Sequence, residues 1–198
     1  MTLNRRNGEE VIKGVLNMDN FMIDQEIELR LLQPIHAEEL FKLIDTSRDY
    51  LREWLPWIDF TKEVRDSREF IEASLQQYHS RNGFQAGIWY KGELAGVIGL
   101  HDIDWTNKST SIGYWLGKTF QGKGLMTKAC EVIIDHCFKE LKLKRIEIRV
   151  ATENYKSQAI PERLGFKKEG CQRSAQWLND RFVDLYIYGL VNETDDRL

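Results

Sequence analysis

The sequence predicts a single α/β domain, a mixed central sheet flanked by helices, and three features point to it. Short runs alternate apolar and polar residues, as in Ile27-Glu28-Leu29-Arg30-Leu31 and Ile146-Glu147-Ile148-Arg149-Val150, the period of half-buried strands. Between them the apolar period changes from 2 to 3.6, and Leu125, Met126, Ala129, Cys130, Ile133, Ile134, Cys137, Phe138 and Leu141 line one face of a long helix. The change falls on Gln121-Gly122-Lys123-Gly124, so a strand, a glycine loop, a helix and a strand follow one another at the centre of the chain. A length of 198 residues is enough for one domain with a sizeable core.

Taken in order, residues 1–24 mix Asn, Gly, Glu and Asp with few apolar positions and are expected to form a loose arm, leaving 25–198 as the domain. Ile27, Leu29 and Leu31 mark the first strand. Pro34 ends it and leads into a helix whose stripe is Ala37, Leu40, Phe41 and Ile44. Leu51-Arg52-Glu53-Trp54-Leu55-Pro56-Trp57 is too aromatic for a plain linker. A second helix is expected over 66–81, with Phe70, Ile71, Leu75 and Tyr78 inward. Residues 84–90 and 93–101 read as two strands turned at Lys91-Gly92, and 102–108 as a polar turn. Ile112, Tyr114 and Leu116 mark the next strand, which ends at Gly117. The long helix has Lys139, Lys142 and Lys144 at its C-terminal end, where the dipole favours cations. After the strand of Ile146, Ile148 and Val150 comes a short helix that Gly165 can close. Pro161 should lie near its start, because a deeper Pro removes a backbone hydrogen bond and crowds the preceding turn. Residues 166–172 and 182–191 complete the sheet.

Composition narrows the function classes. Hydrophobic residues at 42% and charged residues at 30% describe a globular chain rather than a disordered one. A net charge of -3 leaves no basic footprint for nucleic acid or for an anionic membrane. No run reaches the roughly 20 apolar residues that a membrane helix needs. Arg5 and Arg6 are followed by no apolar core, so no signal peptide is expected. Cys130, Cys137 and Cys171 are odd in number and widely spaced, which builds neither a disulfide framework nor a metal site. The compartment therefore reads as reducing, hence cytoplasmic.

A glycine loop between strand and helix aims free backbone N–H groups at one point, which suits a phosphate. As a P-loop, Gly117-Lys118-Thr119-Phe120-Gln121-Gly122-Lys123-Gly124 places Gly124 where a hydroxyl is needed for Mg²⁺. As a dinucleotide fingerprint, Gly122-x-Gly124 needs a third Gly and finds Thr127, with no acidic residue ending a second strand at the expected distance. A helix capped by a glycine turn is the plain alternative. The remaining pattern fits better. Gln121-Gly122-Lys123-Gly124-Leu125-Met126 resembles the Gln/Arg-x-x-Gly-x-Gly/Ala pyrophosphate loop of the GNAT acetyltransferase superfamily, departing only at Met126, where a small residue is usual. Asn154-Tyr155-Lys156-Ser157-Gln158-Ala159, closing at Leu164-Gly165-Phe166, is similar to the second GNAT motif. The resemblance runs from about Ile27 to Val191. Its nearest form is the RimJ/RimL type, which acetylates protein N-termini, including those of ribosomal proteins. Ile112-Gly113-Tyr114-Trp115-Leu116 and Trp54-Leu55-Pro56-Trp57 both look like that group.

The resemblance implies an acetyl-CoA-dependent N-acetyltransferase on one GNAT-like α/β domain, with no metal. Gln121, Gly122, Lys123, Gly124, Leu125, Met126 and Thr127 would hold the coenzyme A pyrophosphate. Backbone near Leu116 would contact the pantetheine arm and acetyl group, and Asn154 would bind the arm from the other side. Many GNAT enzymes protonate the departing thiolate with a Tyr on the short helix, but that position here is Pro161. Ser157 is the substitute that the RimL-like group suggests, although a Ser there could also be a helix N-cap. RimL-like enzymes can carry a Glu just before the Ile-Gly-Tyr-Trp run, where this chain has Ser111. His101, Asp102 and Asp104 could act as base through water or be solvated loop residues. Trp54, Trp57 and Tyr114 would line the acceptor groove, with Glu53 and Asp59 as the nearby carboxylates, though the two Trp residues could equally be core. Cys130 and Cys137 read as packing residues. The implied acceptor is a protein or peptide N-terminal amine. A small amine such as a polyamine or antibiotic, or a cofactor-binding module without turnover, are the rivals. The sequence leaves room for an oligomer.

Overall fold

The computed structural model describes residues 21–193. Its strands are β1 (Phe21–Met22), β2 (Ile27–Leu31), β3 (Gly83–Tyr90), β4 (Glu93–Asp104), β5 (Ser109–Leu116), β6 (Arg145–Ala151), β7 (Lys167–Leu178) and β8 (Arg181–Val191). They form one sheet in the order β1-β2-β3-β4-β5-β6-β8-β7, in which β5 and β6 are parallel and every other pair is antiparallel. The helices are α1 (Ala37–Thr46), α2 (Arg48–Arg52), α3 (Val64–His79), α4 (Leu125–Lys139) and α5 (Tyr155–Arg163). The expected mixed α/β domain is the fold found.

Both faces of the sheet are covered. On one, Leu125, Met126, Ala129, Cys130, Ile133 and Cys137 of α4 close over Leu29, Phe84, Ile98, Leu100, Ile146 and Ile148. On the other, Leu40 and Ile44 of α1 and Ile71 of α3 meet Trp89, Leu94 and Val97. The central strands β3 and β4 are thus buried on both sides, which is why they read as continuous apolar runs. In α3 the buried positions are Ser67, Ile71 and Ser74, while Phe70 is 43% exposed. Ile71 is buried and Leu75 and Tyr78 pack against the core as expected, so only Phe70 departs from the expected stripe, and Ser67 and Ser74 fill the inner face beside it.

The Lys91-Gly92 turn forms as expected: both residues have positive φ, 54° and 84°, and Tyr90 pairs with Glu93. A second turn of this kind, Asn179-Asp180 with φ of 49° and 62°, joins β7 to β8 and extends both beyond the expected ends. Strand β7 crosses irregular pairing between Gln172 and Gln176, and its side chains from Lys167 to Ala175 are exposed on both faces, so no alternation marks its extension past Gln172. At the other end, residues 1–20 of the expected arm lie outside the described residues, but Phe21 pairs with Leu29 and Met22 with Glu28. Asp24 then closes the turn, accepting the N–H groups of Glu26 (2.8 Å) and Ile27 (3.0 Å). A two-residue strand has no period to read.

The expectation for Pro161 is corrected. It stands inside α5 rather than near its start. The carbonyl that an N–H at position 161 would bond is that of Ser157, and the Tyr114 hydroxyl donates to it instead, at 3.0 Å. A tertiary contact replaces the missing helical bond.

Candidate active site

The site begins where two neighbouring strands part. The parallel ladder between β5 and β6 covers only Ser109, Thr110 and Ser111 against Arg145, Ile146 and Glu147. Beyond that point β5 stays paired with β4 as far as Leu116, and β6 with β8 as far as Ala151. The C-terminal ends of β5 and β6 therefore open a cleft with unpaired backbone on both walls, the place where open α/β sheets take ligands.

The loop and α4 stand at the mouth of this cleft. Gly122 and Gly124 both have φ of +74°, a left-handed conformation that other residues adopt only with strain. A Cβ on either would meet nothing within 4 Å, so the space before them is open. Gly124 is the residue capping α4, and the first bond back into the helix runs from the Lys128 N–H to its carbonyl at 3.1 Å. The amides of Leu125, Met126 and Thr127 precede that bond, and with the positive end of the helix dipole they make an anion cradle. Lys123 lies over the rings of Tyr90 (5.2 Å) and Phe120 (5.5 Å), while Gln121 accepts a hydrogen bond from Lys156 at 3.3 Å, tying the loop to α5. These residues fit a pyrophosphate.

Helix α5 forms the opposite wall. Its N-cap is Asn154, whose side-chain oxygen accepts the Ser157 N–H at 3.1 Å. Ser157 is thus the third helical residue and not the cap, and its hydroxyl has no protein partner among the described residues. Asn154→Ala should cost about 1 kcal/mol in denaturant unfolding, whereas Ser157→Ala should leave stability nearly unchanged. Tyr114 is held away from a lining role: burial raises its pKa well above the usual phenol value, and its hydroxyl is engaged by Ser157.

Two recesses share Asp49 and Glu53, and the first of them reaches the N-terminus of α5. One, of about 460 Å³, is lined by Tyr50, Trp54, Lys118, Asn154, Tyr155 and Lys156, together with Asp49, Glu53 and Glu153. The other, of about 520 Å³, shares Asp49 and Glu53 and adds Leu55, Pro56, Asp59, Phe60, Trp177 and Asp180. The tip of the β7–β8 turn closes its side, where Asn179 donates to the Arg52 carbonyl at 3.0 Å. Asp59 pairs with Arg52 and Glu153 with Arg181, each at 2.9 Å, but Asp49, Glu53 and Asp180 have no ion pair among the described residues. The expectation of Glu53 and Asp59 as the nearby carboxylates was too few. Trp54 lines the first recess. Trp57 lines neither: it packs on Trp115, ring centres 5.9 Å apart, against the α1–α3 core.

A family model for the acetyltransferase (GNAT) domain matches residues 26–167. The chain belongs to the GNAT acetyltransferase family. It is 40% identical over 170 residues to YdaF of Bacillus subtilis (strain 168), a protein provisionally named a ribosomal N-acetyltransferase, covering 85% of this chain and 93% of the relative. Among solved structures, RimL, the ribosomal L7/L12 α-N-protein acetyltransferase in complex with coenzyme A, superposes with a TM-score of 0.86 at 26% identity, covering 89% of this chain and 99% of RimL. The microcin C7 self-immunity acetyltransferase MccE, in complex with acetyl-CoA and AMP, gives 0.85 at 33% identity and covers 91% of this chain and 99% of MccE. Spermidine N(1)-acetyltransferase of Escherichia coli (strain K12) is a more distant relative, 26% identical over 141 residues, 70% of this chain and 73% of the relative. This GNAT domain is an acetyl-CoA-dependent N-acetyltransferase, and its relatives and structural neighbours include ribosomal-protein acetyltransferases of the RimL kind.

Within the acetyltransferase, the remaining candidates separate by environment. Asp104 accepts the N–H groups of Thr106 (2.9 Å) and Asn107 (2.8 Å) and the Asn107 side chain, which holds its carboxyl below the usual range and gives it a turn-forming role. Asp102 is exposed with φ of 51°. His101 pairs across β4 and β5 with Ser111, and burial lowers its pKa, leaving a neutral imidazole. Cys130 and Cys137 are fully buried, and burial pushes both thiols far above the ordinary range, so neither supplies a thiolate. No helix of the described residues is long and apolar enough to cross a membrane, and no group of His, Cys, Asp or Glu among them could hold a metal.

Proposed function

We propose that this acetyltransferase modifies the α-amine of a protein or peptide, in the cytoplasm, and that coenzyme A lies in the β5–β6 cleft. Amides from Gly122 to Thr127 bind the pyrophosphate, the Leu116 backbone and Asn154 flank the pantetheine arm, and Ser157 protonates the departing thiolate. Acetyl-CoA supplies the activated acyl group. The attacking amine must be neutral, and an α-amine with a pKa of about 7.7–8.0 is partly so near pH 7 without a strong base. Trp54 forms a wall of the acceptor groove, while Trp57 and Tyr114 have supporting roles behind it.

The observation that carries the acceptor reading is the length of the groove. Two recesses joined through Asp49 and Glu53 run on from the N-terminus of α5, with Trp54 in the first and Pro56, Phe60 and Trp177 in the second. A peptide entering amine first has room for the residues that follow, whereas a small amine is usually enclosed in a closed pocket. The carboxylates of Asp49, Glu53 and Asp180 favour a second reading, a polyamine acceptor, since they could pair its distal ammonium groups. Fold alone does not choose between them.

Coenzyme release, measured with a panel of acceptors, tests the choice. A short peptide with a free N-terminus should exceed spermidine and an aminoglycoside in kcat/KM. Trp54→Ala should raise the peptide KM by about tenfold through lost apolar contact and leave the acetyl-CoA KM nearly unchanged. A polyamine that outruns every peptide would establish the second reading. Release with no acceptor in the panel would count against both.

A further inference from the structure

We propose that Tyr114 is a positioning residue that holds the Ser157 turn at the cleft in place of a helical hydrogen bond that Pro161 has removed. The inference rests on Ser157 as the proton donor. Three observations meet here. Pro161 stands within α5, so the i−4 carbonyl, that of Ser157, has no helical donor. Tyr114 reaches that same carbonyl with its hydroxyl, at 3.0 Å. And Tyr114 stands on β5 at a position where the ladder to β6 has already ended, so its buried hydroxyl ties β5 to the helix that forms the far wall.

The chemistry at the cleft depends on where the Ser157 hydroxyl sits relative to the thioester sulfur. Ser157 is held from two sides: its N–H donates to the Asn154 side chain, and its carbonyl accepts from Tyr114. The first bond fixes the start of the helix, and the second fixes its distance from β5. A half-buried carbonyl left without a donor seeks another partner, and the turn can shift to find one. Shifts of about 1 Å in a reacting group are enough to lower rates as much as 100-fold.

The arrangement predicts a rescue that a merely structural role for Tyr114 would not give. Tyr114→Phe removes the hydroxyl and should lower kcat by about tenfold or more, with the acetyl-CoA KM changed by less than about twofold. Pro161→Ala restores an N–H at position 161 that can bond Ser157, and alone should stay within about threefold of the parent kcat. The double variant should recover to the same level, because the helix then supplies what Tyr114 no longer does. Ser157→Ala is assayed alongside. If it keeps full kcat, the acid assignment falls and takes the inference with it. If it loses kcat while Tyr114→Phe does not, or while the double variant stays as slow as Tyr114→Phe, the positioning role is overturned and the acid assignment stands. Should Tyr114→Phe fail to fold, the double variant decides: folded and active supports the role, and folded but slow, or unfolded, overturns it.

Discussion

Gly124→Glu is expected to abolish measurable acetyl-CoA binding while the protein stays folded. At φ of +74° any non-glycine residue costs about 1–2 kcal/mol in backbone strain. A Cβ there meets no protein atom within 4 Å, so the free protein has no clash to relieve. An acidic side chain at the start of α4 even gains from the helix dipole, which offsets part of the strain. The same carboxylate would stand where the amides of Leu125, Met126 and Thr127 converge, facing the pyrophosphate with like charge. A loss of at least about 100-fold in Kd by calorimetry is expected, equivalent to roughly 2.7 kcal/mol. Gly124→Ala carries the strain without the charge and should lose far less. Unchanged affinity in a folded Gly124→Glu protein would remove the loop from the coenzyme site.

Ser157→Ala is the second large effect. A general acid contributes roughly 10²–10⁴-fold, so kcat should fall by that order while the acetyl-CoA KM holds. The alternative, that Ser157 is a helix cap, predicts a stability loss instead, but the cap is Asn154. The two substitutions therefore separate what the sequence left joined. Ser157→Ala should be stable and slow, and Asn154→Ala less stable by about 1 kcal/mol. A Ser157→Ala enzyme with full kcat would move the proton donor elsewhere on the wall formed by α5.

The loop and α4 were legible because local signals agreed there. Two glycines, a switch of period and an apolar stripe all point to a strand handing over to a helix. The Lys91-Gly92 turn was legible for the same reason. What stayed hidden depends on contacts between distant parts of the chain. Pro161 is tolerated inside α5 because the Ser157 carbonyl takes a hydroxyl from Tyr114, 43 residues before Ser157, and no local rule reports that. The two recesses draw their carboxylates from Asp49 and Glu53, from Glu153 and from Asp180, segments that only the fold brings together. Trp54 and Trp57 are equivalent as sequence, yet one lines a recess and the other packs on Trp115. The extra length of β7 is hidden because Arg173, Ser174 and Ala175 are exposed on both faces and leave no pattern to read.

The most direct test of the central claim is to find where the acetyl group goes. The protein is incubated with isotope-labelled acetyl-CoA and a bacterial protein extract, and the label is located by fragment-ion mass spectrometry. The account predicts label on N-terminal α-amines of a small set of proteins, absent when Ser157→Ala is used. Label found only on lysine side chains or on small polyamines, with every N-terminus unlabelled, would contradict it.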